Sequence, residues 1–132
     1  MNNPVVLCVA ILVLFYGALG FNVSRMRRKR RSDAAVTEAA LTKAIRAHGN
    51  ASEYIPLFVA GLLYLNTTSP GFFVTGLAVA VLICRLLHAA GTLLAPSVGE
   101  RHPLKFVGAL GTYFCLFALG GALLLQWARS GM

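Results

Sequence analysis

The chain has 132 residues, of which 58% are hydrophobic and only 12% are charged, and its formal net charge is +8. Because a water-soluble domain carries roughly 25% charged residues, this composition excludes an ordinary soluble domain. Four apolar segments approach the length of about 20 residues that a helix needs to cross a bilayer. The sequence therefore predicts an all-α integral membrane protein, a single domain built as a four-transmembrane-helix bundle with helices at about 4–24, 34–65, 71–95 and 104–127.

The first segment ends in a basic run, residues 25–31, which holds six of the twelve lysine and arginine residues. Such a run beside a membrane helix is typical of a cytoplasmic loop that contacts anionic lipid headgroups, so the net charge does not indicate nucleic-acid binding. No cation precedes the apolar segment, which is the reverse of a cleavable signal peptide. We therefore expect a retained helix with its N-terminus outside, and an N-cap of the second helix at Ser32-Asp33.

The second segment carries a polar stripe. Arg46, Asn50 and Glu53 are spaced by four and three residues, which places them on one face of a helix. Polar side chains that face the interior of a membrane bundle are costly to keep, and they mark function by default. Pro56 predicts a bend in the same helix. The turn at 66–71 contains no cation and is expected on the outer side.

The third segment repeats this spacing with Arg85, His88 and Thr92, and Arg101 follows in a second basic loop. With both basic loops in the cytoplasm and both termini outside, Arg85 and His88 lie roughly 10–15 Å from the cytoplasmic end of their helix, at the depth of the first stripe. Arginines together with the carboxylate of Glu53 predict a pocket for a small, multiply anionic molecule that also carries an amine. In the alternative interpretation, Glu53 neutralises Arg46 or Arg85 in a purely structural ion pair.

Other residue types give weaker signals. The three cysteines lie in apolar segments without metal or disulfide spacing, and the three histidines lie on different elements, so no metal site is predicted. Small residues allow close helix contact, either within one chain or between subunits. In the fourth segment these are Gly108, Gly111, Gly120 and Gly121.

The polar residues resemble those of the MAPEG family, the membrane-associated proteins in eicosanoid and glutathione metabolism. The resemblance rests on R-A-H-G-N-A-S-E-Y-I-P at 46–56, on R-L-L-H at 85–88 and on the basic loop before the fourth helix. It implies a homotrimer of four-helix bundles that binds glutathione between neighbouring subunits, toward the cytoplasmic side. The short, arginine-rich form resembles the bacterial branch of the family and implies an inner membrane.

The resemblance also implies roles for individual residues. The residues expected to bind glutathione are Arg46, Asn50, Glu53, Arg85 and His88. Glu53 would face the amino group of glutathione, and the arginines would face its carboxylates. Arg101 stands where catalytic members place an arginine that stabilises the thiolate, and either Arg25 or Arg28 is a further candidate for the site.

Some positions depart from the pattern of the family's enzymes. Gly49 stands where several eukaryotic members have a second arginine, and Thr92 stands where they often have a tyrosine. His102 and Lys105 replace polar residues near the thiol. These departures are compatible with glutathione binding and argue against efficient catalysis.

We expect a microsomal-type glutathione transferase or peroxidase, which takes glutathione as co-substrate and acts on lipophilic electrophiles or lipid hydroperoxides from the bilayer. Two alternatives stay open. A small multidrug-type proton-coupled exporter would also have four short helices and one intramembrane glutamate, although the arginines would repel its cationic drugs. A non-catalytic membrane protein would bind anionic lipid through the two basic loops.

Overall fold

The computed structural model describes residues 3–33 and 36–131. Its elements are four helices, α1 (Asn3–Ser32), α2 (Glu38–Thr68), α3 (Phe72–Leu94) and α4 (Pro103–Ser130). The predicted all-helical architecture with four helices is confirmed.

The first helix is longer than predicted. It continues through the basic run to Ser32, and the amide of Asp33 still bonds to the carbonyl of Lys29. Arginine and lysine favour helix, and no glycine or proline interrupts the run. The predicted N-cap at Ser32-Asp33 is therefore wrong. Thr37 caps α2 instead, since its hydroxyl accepts a hydrogen bond from the amide of Ala40 at 3.1 Å. The predicted helix start at residue 34 lies outside the described residues.

The two outer helices of the bundle, α1 and α4, pack against different neighbours. α1 packs on α2 and α3, and α4 packs mainly on α3 with a smaller contact to α2. Within residues 3–33 and 36–131, α1 and α4 do not touch. A stripe of buried side chains on α2 forms the centre of the core, at Ile55, Phe58, Leu62 and Leu65.

Three helices, α1, α3 and α4, are long and apolar enough to cross a membrane. α2 has 31 residues, which is about 46 Å of helix, but its first half carries the polar stripe and lowers its hydropathy. Large apolar side chains cover the outer surface, for example Leu14, Phe72 and Phe117. An apolar exterior of this kind is what an integral membrane protein presents to lipid.

Glycines set the distance between α3 and α4. A Cβ atom on Gly108 would collide with the backbone of His88, and one on Gly111 would collide with the sulfur of Cys84. These two glycines therefore serve packing within one chain, as one of the two interpretations predicted. A Cβ atom on Gly120 or Gly121 would meet nothing in the chain.

Candidate functional site

The site is organised around Arg85, which lies in the middle of α3 and is only 1% exposed. Its Nη2 atom donates a hydrogen bond to Oδ1 of Asn50 on α2, at 2.5 Å. Its Nη1 atom donates to the hydroxyl of Thr112 on α4, at 3.3 Å. The guanidinium carbon lies 5.2 Å from the centre of the Tyr54 ring, which is within the range of a cation–π contact. Two neighbouring helices, α2 and α4, thus supply partners to one buried cation of α3.

The glycine contact between α3 and α4 places Thr112 beside Arg85. Gly108 lies against the backbone of His88, and Thr112 is one helical turn further along α4. The hydroxyl of Thr112 donates to the carbonyl of Gly108 at 2.7 Å, so its oxygen remains available to accept from Arg85. The close approach of the two backbones therefore determines which α4 residue reaches the arginine.

No carboxylate of the described residues lies within 4.0 Å of the Arg85 guanidinium, although the charge of Glu53 acts on it from a longer distance. The ion pair found among residues 3–33 and 36–131 is Arg30 with Glu38, both at the exposed end of the bundle. The Nε atom of Arg85 and the Nδ1 atom of His88 are buried without hydrogen-bond partners. Burial of an unpaired charge and of unsatisfied polar atoms is costly. An anion beside Arg85 would offset this cost.

A small cavity of about 90 Å³ lies at this point. Its lining comes from Asn50, Tyr54, Arg85, His88, Ala109, Thr112 and Tyr113. The hydroxyls of Tyr54 and Tyr113 are 3.4 Å apart, and their rings meet edge to face. We call this cavity the Arg85 pocket.

A second and wider groove of about 820 Å³ lies under the loop between α3 and α4. We call it the loop groove; Arg101 and the exposed ring of Phe106 line it, and His88 and Ala109 line both it and the Arg85 pocket. The two spaces therefore adjoin at His88. A molecule with an anionic end in the Arg85 pocket could extend toward Arg101.

Two basic side chains of this region form hydrogen bonds with the backbone of the loop and of α4. Nδ1 of His102 accepts a hydrogen bond from the amide of Leu104 at 3.3 Å and so caps α4. Nζ of Lys105 donates to the carbonyl of Val98 at 2.7 Å. Both side chains therefore fix the loop that carries Arg101.

The structure divides the predicted site residues into two groups. Asn50, Arg85 and His88 meet at the Arg85 pocket. Arg46 and Glu53 are exposed on the outer face of α2, and Arg101 is exposed in the loop. Glu53 forms no ion pair within 4.0 Å of a basic group of the described residues, but its charge acts electrostatically on Arg85, so the alternative in which it neutralises Arg85 stays open. Of the further candidates, Arg25 donates to Oδ1 of Asn22 at 3.0 Å.

Sequence reasoning missed three residues of the pocket, namely Tyr54, Thr112 and Tyr113. A signal existed for two of them. Tyr54 follows Asn50 of the polar stripe by four residues, and Thr112 follows the packing residue Gly108 by four residues. Each therefore shares a helix face with a residue that the sequence pattern singles out. An aromatic or hydroxyl side chain in an apolar helix is common, and by itself it does not indicate a site.

Lys43 is a further residue that the sequence did not single out. Its Nζ atom donates to the carbonyls of Leu93 and Ala95, at 3.1 and 2.9 Å. It thus satisfies carbonyls at the C-terminal end of α3, where a cation also interacts favourably with the helix dipole. By this contact α2 holds the start of the loop that carries Arg101.

His48, in contrast, contributes to packing. Its ring stacks on Tyr16 of α1 with centroids 5.1 Å apart, and it covers Gly20. It is absent from the lining of the Arg85 pocket.

A search of curated proteins found no match to this chain. Residues 5–125 match the profile of the MAPEG family, and this range includes α2, α3, the loop with Arg101 and most of α4. Members of this family are generally glutathione-dependent. The match covers far more than half of the sequence, and the chain belongs to the MAPEG family.

Proposed function

We propose that this protein is a glutathione-dependent transferase or peroxidase of the membrane, with glutathione bound at the Arg85 pocket. The observation that carries the proposal is a buried guanidinium that has no carboxylate of the described residues within 4.0 Å of it. Carboxylates are the partners that arginine binds best, by paired hydrogen bonds to its planar fork. Glutathione has two carboxylates, and either one would complete the site.

The volume of the pocket indicates how the rest of the tripeptide would lie. A cavity of about 90 Å³ admits one functional group, whereas drug-sized ligands occupy roughly 300–1,000 Å³. The remainder of glutathione would extend along the outer face of α2, where Arg46 and Glu53 are exposed. Glu53 would accept hydrogen bonds from the amino group, and Arg46 would take the second carboxylate.

Exposed charges at this position also support an oligomer. Arg46 and Glu53 lie within α2, well inside the helix ends, and charged side chains are costly in contact with lipid. A neighbouring copy would cover this face and enclose the bound tripeptide. Closed cyclic assemblies are the usual form of homo-oligomers, and the family resemblance implies three subunits.

Arg101 would act on the sulfur. It lines the loop groove together with His88, and His88 also lines the pocket in which the anionic end of the ligand would lie. A nearby cation lowers the pKa of a thiol, so glutathione would react as the thiolate. In transfer, the sulfur forms a bond to an electrophilic carbon as the leaving group departs. In reduction of a hydroperoxide, the sulfur attacks the terminal oxygen and the O–O bond breaks; a second glutathione then completes the reaction to disulfide, alcohol and water.

The structure gives less support to an exporter. All four acidic residues, Asp33, Glu38, Glu53 and Glu100, are exposed in the single chain; none lines the Arg85 pocket, and Glu100 lines only the loop groove. A proton-coupled exporter of cations requires a carboxylate in its binding site. The helical extension of α1 carries the six cations of the basic run, which favours anionic lipid as an additional partner.

We further propose an inner-membrane location with the basic loops in the cytoplasm and both termini outside. Reporter fusions after Arg31 and after Arg101 should then report the cytoplasm, and a fusion after Ser69 should report the outside. A cytoplasmic signal after Ser69 would contradict this orientation.

The proposed chemistry is tested by the ultraviolet absorbance of bound glutathione thiolate as a function of pH. Arg101→Ala should raise the pH at which the bound thiol ionises and lower the maximal rate, with little change in affinity. Arg46→Ala should weaken binding, and its loss of rate should largely disappear at saturating glutathione. Arg129→Ala is the control, because it removes an exposed arginine about 39 Å of helix away from the start of α4. If the unmutated protein forms no thiolate band near neutral pH, the catalytic proposal fails and only binding remains.

A further inference from the structure

A third cavity lies at the end of the bundle opposite the loop groove. It has a volume of about 480 Å³ and lies between the end of α2, the start of α3 and the second half of α4. We call it the outer groove. Its floor is formed by Leu65 and Val74, both of which are buried. The other apolar contacts come from Phe73 and from residues of α4.

The wall on α4 follows one face of the helix. Ala118, Ala122 and Leu125 are spaced by four and three residues, and Arg129 follows four residues later at the end of the groove. The two alanines leave space that larger side chains would fill. The lining of the groove is thus mostly apolar, and its polar members are Ser69, Gln126 and a single cation, Arg129.

Arg129 has no hydrogen-bond or ion-pair partner within residues 3–33 and 36–131. None of the four acidic side chains lies in the parts of α2, α3 and α4 that form this end. A second copy in the same orientation would bring no acidic side chain to Arg129 either. Among the described residues, then, no acidic side chain is placed to pair with Arg129, and an external anion would supply that partner.

We propose that the outer groove holds one acyl chain of an anionic phospholipid, with the lipid phosphate bound by Arg129. From Ala118 to Arg129 the helix rises about 16 Å, roughly half of the 30 Å hydrocarbon core of a bilayer, so the groove spans one leaflet. Trp127, two residues before Arg129 on the same helix, is exposed, as is typical of side chains at the level of the headgroups. Arginine binds phosphate through its planar fork. This site is separate from the proposed glutathione site and does not depend on it.

Trp127 allows a direct test because it is the only tryptophan of the chain. The intact protein is reconstituted into vesicles that contain brominated phosphatidylglycerol or brominated phosphatidylcholine, and quenching of Trp127 fluorescence is measured against mole fraction. One arginine near a membrane surface contributes about 1 kcal/mol, so we expect a preference of about fivefold for the anionic lipid. Arg129→Gln should abolish the preference, and Arg129→Lys should keep most of it.

A matched pair of variants separates the groove from simple surface attraction. Ala122→Phe should fill the groove and remove the preference with Arg129 still present. Leu124→Phe, at a position 69% exposed and outside the groove lining, should leave the preference unchanged. Monodisperse gel filtration of both variants checks that they fold.

Three outcomes would overturn the proposal. Equal quenching by both lipids in the unmutated protein would mean that the groove takes no anionic lipid, for example because another copy covers it. An unchanged preference in Ala122→Phe would mean that Arg129 attracts headgroups without the groove. Displacement of the brominated phospholipid by an equal mole fraction of free fatty acid would assign the groove to a single-chain carboxylate.

Discussion

The two halves of α2 differ in what they contribute to the protein. The half that ends at Glu53 buries small side chains such as Ala47 and Ala51, and it adds hydrogen bonds to α3 and exposed charges to this packing. The half that begins at Tyr54 buries an apolar stripe centred on Phe58, which is 0% exposed. In lipid, packing of this second kind holds helices together, whereas buried polar groups cost stability unless a partner satisfies them. The polar half is therefore expected to serve binding and the apolar half stability.

Replacement of Arg85 by methionine should have the largest effect on binding. Loss of a buried charge partner costs roughly 2–5 kcal/mol, so glutathione should no longer raise the melting temperature of the protein. Without glutathione, Arg85→Met should be at least as stable as the unmutated protein, because it removes an unpaired buried charge. Thermal unfolding in detergent with and without glutathione measures both effects. A large loss of stability without glutathione would instead assign Arg85 a structural role.

Replacement of Phe58 by alanine should show the opposite behaviour. We expect it to lower the free energy of unfolding by roughly 2–3 kcal/mol, less than in a water-soluble core, because lipid is as apolar as the bundle interior. The affinity of the folded fraction for glutathione should not change. Leu57→Ala is the matched control, since Leu57 is the neighbouring residue and is 56% exposed. Equal destabilisation by both variants would contradict the assignment of Phe58 to the core.

Glu53→Gln should have a smaller effect, confined to binding. It should weaken glutathione binding by roughly 1.5–3 kcal/mol, the contribution of a hydrogen bond to a charged group, and should leave the oligomer intact. Glu38→Gln removes an exposed carboxylate that lines neither the Arg85 pocket nor the loop groove, and it serves as the control. If Glu53→Gln abolished drug resistance in cells and left glutathione affinity unchanged, the exporter would become the better interpretation.

Part of the site could be predicted because the spacing of residues along a helix determines which side chains share a face. Asn50 and Arg85 were each assigned to an inward-facing stripe at similar depth, and their side chains are hydrogen-bonded. Arg46 and Glu53 share a stripe with Asn50, but both are exposed in the single chain. A helix face about 100° wide can have its middle against the bundle while its edges lie outside it. The sequence pattern does not distinguish a face that packs within a chain from one that faces another copy.

Other features depend on contacts between helices that no local pattern encodes. Thr112 reaches Arg85 only because Gly108 lets α4 approach α3, and the residue opposite a glycine cannot be read from spacing. The extension of α1 to Ser32 was missed for a different reason. The charge of the basic run is typical of a cytoplasmic loop, whereas its residues are also good helix formers.

The central claim is that the Arg85 pocket binds glutathione, and calorimetric titration of the purified, detergent-solubilised protein tests it most directly. We expect saturable heat on addition of glutathione to the unmutated protein, the same heat for Phe58→Ala under conditions where it is folded, and none for Arg85→Met. Absence of saturable heat in the unmutated protein, or unchanged heat in Arg85→Met, would contradict the account.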